Sequence, residues 1–161
     1  MSEGGEYQVA KRSVPVMVRL TNGNAHKGDF LLAAQAEQHH GAERVKDLLN
    51  GSGEMVPLFS HLHNTPILLN KRHIEMVELT EPDLASDADR DTDFAIHRQA
   101  LLIMDSGSKL RGDLVVTMPS GHDRTLDFLN RGERFVYLES RDGTKIINLL
   151  HVIAVEDAKG H

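Results

Sequence analysis

The sequence predicts a mainly β protein built of two tandem units, each a five-stranded, strongly bent sheet closed or nearly closed as a small barrel and carrying one short helix. Three observations predict it: an internal repeat, short apolar runs of period two bounded by turn residues, and an acidic stretch between the repeats.

The repeat comes first. Val18-Arg-Leu-Thr-Asn-Gly-Asn-Ala-His-Lys-Gly-Asp-Phe30 aligns without a gap on Leu102-Ile-Met-Asp-Ser-Gly-Ser-Lys-Leu-Arg-Gly-Asp-Leu114. Asp47-Leu48-Leu49-Asn50 then meets Asp127-Phe128-Leu129-Asn130, and Met55-Val56-Pro57-Leu58 meets Phe135-Val136-Tyr137-Leu138. Asn70 to Glu78 meets Asn148 to Glu156, His73 falling on His151. Blocks kept in one order place the first unit at residues 14–79 and the second at 98–157, with an acidic linker at 80–97. Six carboxylates, from Glu81 to Asp93, face Arg90 alone in that linker and account for most of the net charge of −6. Its Pro, its charge and its lack of apolar period are those of a solvated connector.

The elements follow in chain order. Val14, Val16, Val18 and Leu20 share one strand face, and Pro15 marks a strand start or an edge. Asn22-Gly23, matched by Ser106-Gly107, reads as a tight type I′ hairpin turn, so the strands near 26–33 and 109–117 fold back antiparallel. A loop, containing Pro119-Ser120-Gly121 in the second unit, leads to a short helix around Val45, Leu48 and Leu49 or around Leu126 and Leu129. Asp123 or Thr125 is the expected cap of the second helix, and Asn50-Gly51 and Asn130 with Gly132 are the expected left-handed stops. Three short strands close each unit, near 54–60, 66–69 and 74–79, and near 134–140, 144–149 and 152–156, with Asp142-Gly143 as a hairpin turn. A core this small is marginal alone, so the two units are expected to pack through sheet edges or faces.

Composition narrows the function. The chain has 161 residues and no Cys, which removes disulfides, thiolate metal sites and cysteine nucleophiles. Aromatic residues are 4% with no Trp, a poor supply for stacking on bases. No apolar run approaches the roughly 18 residues of a membrane span, and the start lacks the basic and apolar regions of a secretory signal. A cytoplasmic location is the expectation. Neither unit has the basic bias that phosphate binding favours.

The pattern V-x-L-x-N-G-x-x-x-x-G at Val18–Gly28, with N-K-R-H-I-x-x-V at Asn70–Val77, resembles the Sm-like (Hfq-type) family of small β-barrels; SH3-like barrels share the general architecture. The resemblance implies five-stranded bent barrels and an RNA-contacting segment before the last strand. Lys71 and Ile74 fall on the family's Lys and Ile, while Arg72 stands where an RNA-binding His belongs and Asn70 where an aromatic is usual. The second unit, Asn148-Leu149-Leu150-His151-Val152, has no Lys or Arg there. The helix between strands two and three is a further difference. The chain also resembles small uncharacterised bacterial β domains, here duplicated in tandem.

The candidate binding residues are therefore Asn70, Lys71, Arg72, His73, Asn148 and His151, of which the Asn and His pairs are retained in both units. Their structural reading is an Asn in a turn and a His hydrogen-bonded to main chain. His61, His63 and His73, with His39-His40 nearby in sequence, are the candidate metal ligands, because alternate residues of an extended segment point to one side. Asp29, Asp113, Asp47 and Asp127 read as locally hydrogen-bonded or exposed, and no nucleophile has a base at recognisable spacing. The expectation is a non-catalytic binding or regulatory module, without cofactor, whose partner is another protein or itself. RNA binding is the alternative and a His-based metal protein or hydrolase the second. With Sm-like edge pairing, a chain of two barrels closes a ring as a trimer of pairs.

Overall fold

The computed structural model describes residues 11–33, 42–81, 96–116 and 125–157. The chain is mainly β: ten antiparallel strands form one sheet, accompanied by two short helices. The first unit contributes β1 (Lys11–Leu20), β2 (Ala25–Ala33), α1 (Val45–Asn50), β3 (Met55–Ser60), β4 (Thr65–Asn70) and β5 (Ile74–Leu79). The second contributes β6 (Ile96–Met104), β7 (Lys109–Val116), α2 (Thr125–Arg131), β8 (Phe135–Ser140), β9 (Gly143–Asn148) and β10 (Val152–Asp157). β6 opens at Ile96, inside the stretch read as linker, and β1 opens at Lys11, ahead of the expected start. Residues 82–95, His39-His40, Pro119-Ser120-Gly121 and Asp123 lie outside the described residues.

The strand order is β10-β6-β7-β8-β9-β5-β1-β2-β3-β4. Each unit thus has the same internal order, fifth-first-second-third-fourth, and the units meet where β5 pairs with β9. Neither unit's fourth strand pairs with its own fifth, so closure within a unit is not by a hydrogen-bonded ladder.

The bend in each unit sits at a glycine. β2 pairs with β1 over its whole length but with β3 only at Gly28↔Ser60 and Asp29↔Phe59. A Cβ on Gly28 would lie 2.5 Å from the Phe59 carbonyl oxygen, and one on Gly112 2.6 Å from that of Glu139. Only glycine lets the two backbones cross this closely. Gly28 and Gly112 are duplicates, which is why the bend recurs.

Four expectations about local geometry are corrected. In the hairpin at Asn22-Gly23 only the glycine has positive φ (91°), and Gly23 N donates to Leu20 O while Leu20 N donates to Asn24 O. The loop is therefore a three-residue turn with a left-handed glycine, not type I′, and Gly107 (φ 93°) repeats it. Gly51 is extended (φ −69°) and Gly132 is not left-handed either; Gly132 N instead donates to the Phe128 carbonyl at 2.6 Å. Thr125 is the first residue of α2, not its cap. Pro15 lies inside β1, opposite Asp29, just beyond the point where the β5 ladder ends at Val16↔Leu79; its missing N–H faces no strand, and Thr80 Oγ1 donates to its carbonyl.

Two apolar clusters fill the units, and each borrows residues from the other. Val14, Val16, Val18, Phe30 and Leu58 of the first unit pack with Phe135 and Ile146 of the second, all essentially buried. Leu102, Leu114, Val136 and Leu138 of the second pack with Met76 of the first. Each core thus takes residues from across the joint, as expected of units too small to bury enough surface alone.

Candidate functional site

The predicted binding residues Asn70, Lys71, Arg72 and His73 fall together at the turn from β4 to β5, where residues 71–73 make one 3-10 turn; Asn148 and His151 occupy the same turn between β9 and β10. Each Asn caps its turn: Asn70 Oδ1 accepts from Arg72 N and Asn148 Oδ1 from Leu150 N, both at 3.0 Å.

The two turns differ in what they touch. Asn148 is wholly buried, and its amide nitrogen donates to the carbonyl oxygens of Ile74 (2.9 Å) and Lys71 (3.2 Å) across the joint. His151 Nδ1 lies 2.7 Å from Asp105 Oδ2, and its Nε2 meets the Arg72 carbonyl of the other unit. Lys71 is buried, with Nζ donating to Gly51 O at 3.0 Å. Burial pushes its ammonium below the ordinary lysine value; Glu54 pulls it back up and Arg134 depresses it further. His73 has only a long contact from Nδ1 to Thr21 Oγ1, and the Asn70 amide nitrogen meets no acceptor among the described residues.

A second Asn, not singled out as a binding residue in the sequence, completes the joint. Asn50 at the end of α1 reads both main-chain groups of Phe135: its Nδ2 donates to Phe135 O and its Oδ1 accepts from Phe135 N, each at 2.9 Å. Around this pair Lys46 Nζ meets Glu133 Oε1 at 2.7 Å and lies 5.0 Å over the Tyr137 ring, while Arg134 meets Glu54 at 3.4 Å. The ladder itself runs Met76↔Ile147, Val77↔Ile146 and Glu78↔Lys145. The joint is thus a strand pairing flanked by two asparagine clamps and a charged rim.

At the two ends of the sheet the same strands stand open. Among the described residues, β4 is the free edge of the first unit and β10 that of the second. Leu68 is 67% exposed and Ile153 68%, whereas the residues at the same places in the joined strands, Ile146 and Glu75, are buried. Met55 and Leu126 are exposed at positions whose duplicates, Phe135 and Lys46, are likewise buried. Beside β10 opens a cleft of about 720 Å³ lined by Ala100, Leu126, Leu129 and Val155 among others. Val16, Lys46, Leu49 and Val77 hold the equivalent places in the first unit, where Phe135 and Ile146 join the core.

The three candidate metal ligands are not brought together. His61 Nε2 pairs with Asp29 Oδ1 at 2.9 Å, His63 is exposed in the turn after β3, and His73 is at the opposite end of β4. Among the described residues no three His, Asp or Glu side chains gather as a metal site would require. Asp47 accepts from Arg44 N at 2.9 Å and pairs with the Arg44 guanidinium, a local role at the helix start. Among the described residues no helix is long and apolar enough to cross a membrane.

No protein-family model, curated protein or solved structure matches the chain. Open strand edges, with apolar side chains and water-facing amides beside them, are suited to recognise polypeptide backbone.

Proposed function

We propose that the protein is a non-catalytic binding module that works by strand addition at the two ends of its sheet. The observation that carries the reading is the exposure of Leu68 on β4 and Ile153 on β10, at positions buried wherever the same strand of the repeat is paired. An added strand satisfies the edge's main-chain groups, and side chains beside it supply apolar contact and choice of partner. A charge at Leu68 or Ile153 costs the free chain little, because both side chains already face water, but opposes any partner that covers them.

The test uses Leu68→Asp and Ile153→Asp. Both variants keep the far-UV circular dichroism of the parent, and each loses the protein, its own copy or another, that accompanies the parent through gentle purification. Retention of the same companions by both variants overturns the reading.

A further inference from the structure

We infer that the occupant of each open end is the opposite end of another copy of this chain, joined β10 to β4 in the register of the internal β5–β9 joint. This rests on the edge-binding reading and names its partner.

The internal joint is a template because the repeat supplies both halves of it at the free ends. Of the Asn50/Asn130 pair, Asn50 is engaged with Phe135; Asn130 is exposed at the end of α2. Of the Asn70/Asn148 pair, Asn148 is engaged with Ile74 and Lys71; among the described residues Asn70 has only its cap. The engaged member of one pair lies in the first unit and that of the other in the second, so each open end keeps the clamp that the other end lacks. Set in the internal register, Asn130 of one chain reads the N–H and C=O of Met55 in the next. Asn70 of that next chain donates to the carbonyls of Leu149 and Val152.

The apolar surface agrees in place. Leu68 and Met55 enter the cleft beside β10 as Ile146 and Phe135 enter the first unit's core. The strand pairs become Ala154↔Leu69, Val155↔Leu68 and Glu156↔Ile67, by analogy with Met76↔Ile147, Val77↔Ile146 and Glu78↔Lys145. Chemistry at the rim changes consistently on both sides. Where Lys46 meets Glu133 and lies over Tyr137 inside the chain, Leu126 now lies over Pro57 with Gly53 beside it. An apolar pair replaces a charged one, which accounts for the 63% exposure of Leu126 in the single chain. The exposed residues Met55, Leu68 and Leu126 are explained by one contact, and Ile153 falls where Ala25 and Ile67 of the next chain stand in place of Lys109 and Lys145.

Such a contact is heterologous, head to tail, and repeats until it closes as a ring or runs on as a fibre. Its polarity gives it a distinctive test in purified protein, read by mass photometry or sedimentation. The parent forms an assembly whose mass is a whole multiple of 17.9 kDa. Leu68→Asp blocks one end and Ile153→Asp the other: the acid at the duplicate place, Glu75, shares its cleft with Lys109 and Lys145, whose duplicates Ala25 and Ile67 carry no charge to meet an Asp. Each variant alone falls to the single-chain mass with its fold intact by circular dichroism. Mixed in equal amounts they form one species of two chains, because each retains the end the other needs. A fibre dissolved by either substitution supports the same joint.

A parent that stays single over a wide concentration range overturns the self-partner. The edge-binding reading then still stands if both variants lose a foreign companion. Dimers formed by either variant alone show like ends pairing with like and also overturn the proposal. An assembly indifferent to both substitutions overturns the proposal and the edge-binding reading together.

Discussion

Asn148→Ala removes the clamp that ties the second unit's turn to the first unit's main chain, and its cost can be worked from the contacts. The side chain is fully buried and makes three hydrogen bonds, to Ile74 O, Lys71 O and Leu150 N. Lys71 O keeps a partner in Ile74 N, and Leu150 is exposed enough for water to replace the lost cap. Ile74 O is left with the full loss, and the vacated side-chain volume adds to it. Together these give about 2–4 kcal/mol. Asn70→Ala, at the duplicate position, removes one part-exposed cap and costs about 0.5–1 kcal/mol. Both are measured by urea unfolding in chains that also carry Leu68→Asp, so that the open end of the first unit contributes to neither. Equal costs for the two substitutions refute the claim that the joint, and not the turn alone, holds Asn148.

Other expectations follow from particular contacts. Gly28→Ala and Gly112→Ala each force a Cβ against a carbonyl at the strand crossing, and each lowers stability by about 1–3 kcal/mol in thermal unfolding; no loss at either site contradicts the crossing. Lys71 carries its proton less readily folded than unfolded, so the unfolded state binds more protons between the lowered value and 10.5. Stability of the parent relative to Lys71→Met therefore rises as pH climbs through that window and levels off above it; a difference that is flat or falls with pH is contrary to the burial described. Glu133→Gln breaks an ion pair whose acid is 47% exposed, so it costs less than about 1 kcal/mol and the difference fades with added salt; a larger, salt-insensitive loss in urea unfolding contradicts this.

Much of the fold was legible because it is written in local signals. Alternation at Val14, Val16 and Val18, the recurring Gly23 and Gly107, and the paired blocks around Asn50 and Asn130 announce strands, hairpins and repeat without any long-range knowledge. Turn types were less legible, since Asn22-Gly23 suits both a two-residue and a three-residue loop and only the pairing of Leu20 with Asn24 decides. Pro15 misled for a related reason: its tolerance depends on where a neighbouring strand ends, a tertiary fact. The candidate site was half legible. Asn70, Asn148 and His151 stood out because they recur, but the partners that Asn148 and His151 find in Ile74, Lys71 and Arg72 belong to the other unit. Lys71 stood as a candidate binding residue and is buried at the joint. Met55, Leu68, Leu126 and Ile153 look like ordinary strand and helix residues; they become informative only when the burial of their duplicates is known.

The chain lacks cysteine, so paired cysteines report the strand registers cleanly. Directly opposed residues in antiparallel strands bring their Cα atoms to about 4.5–5.5 Å, within disulfide reach. Val77→Cys with Ile146→Cys closes within one chain at every dilution, and Val155→Cys with Leu68→Cys closes only between chains, giving covalent multimers on a non-reducing gel. Failure of the first pair to close contradicts the internal joint, and a second pair that stays single, or that links no better than Val155→Cys with Leu69→Cys, contradicts its repetition between chains.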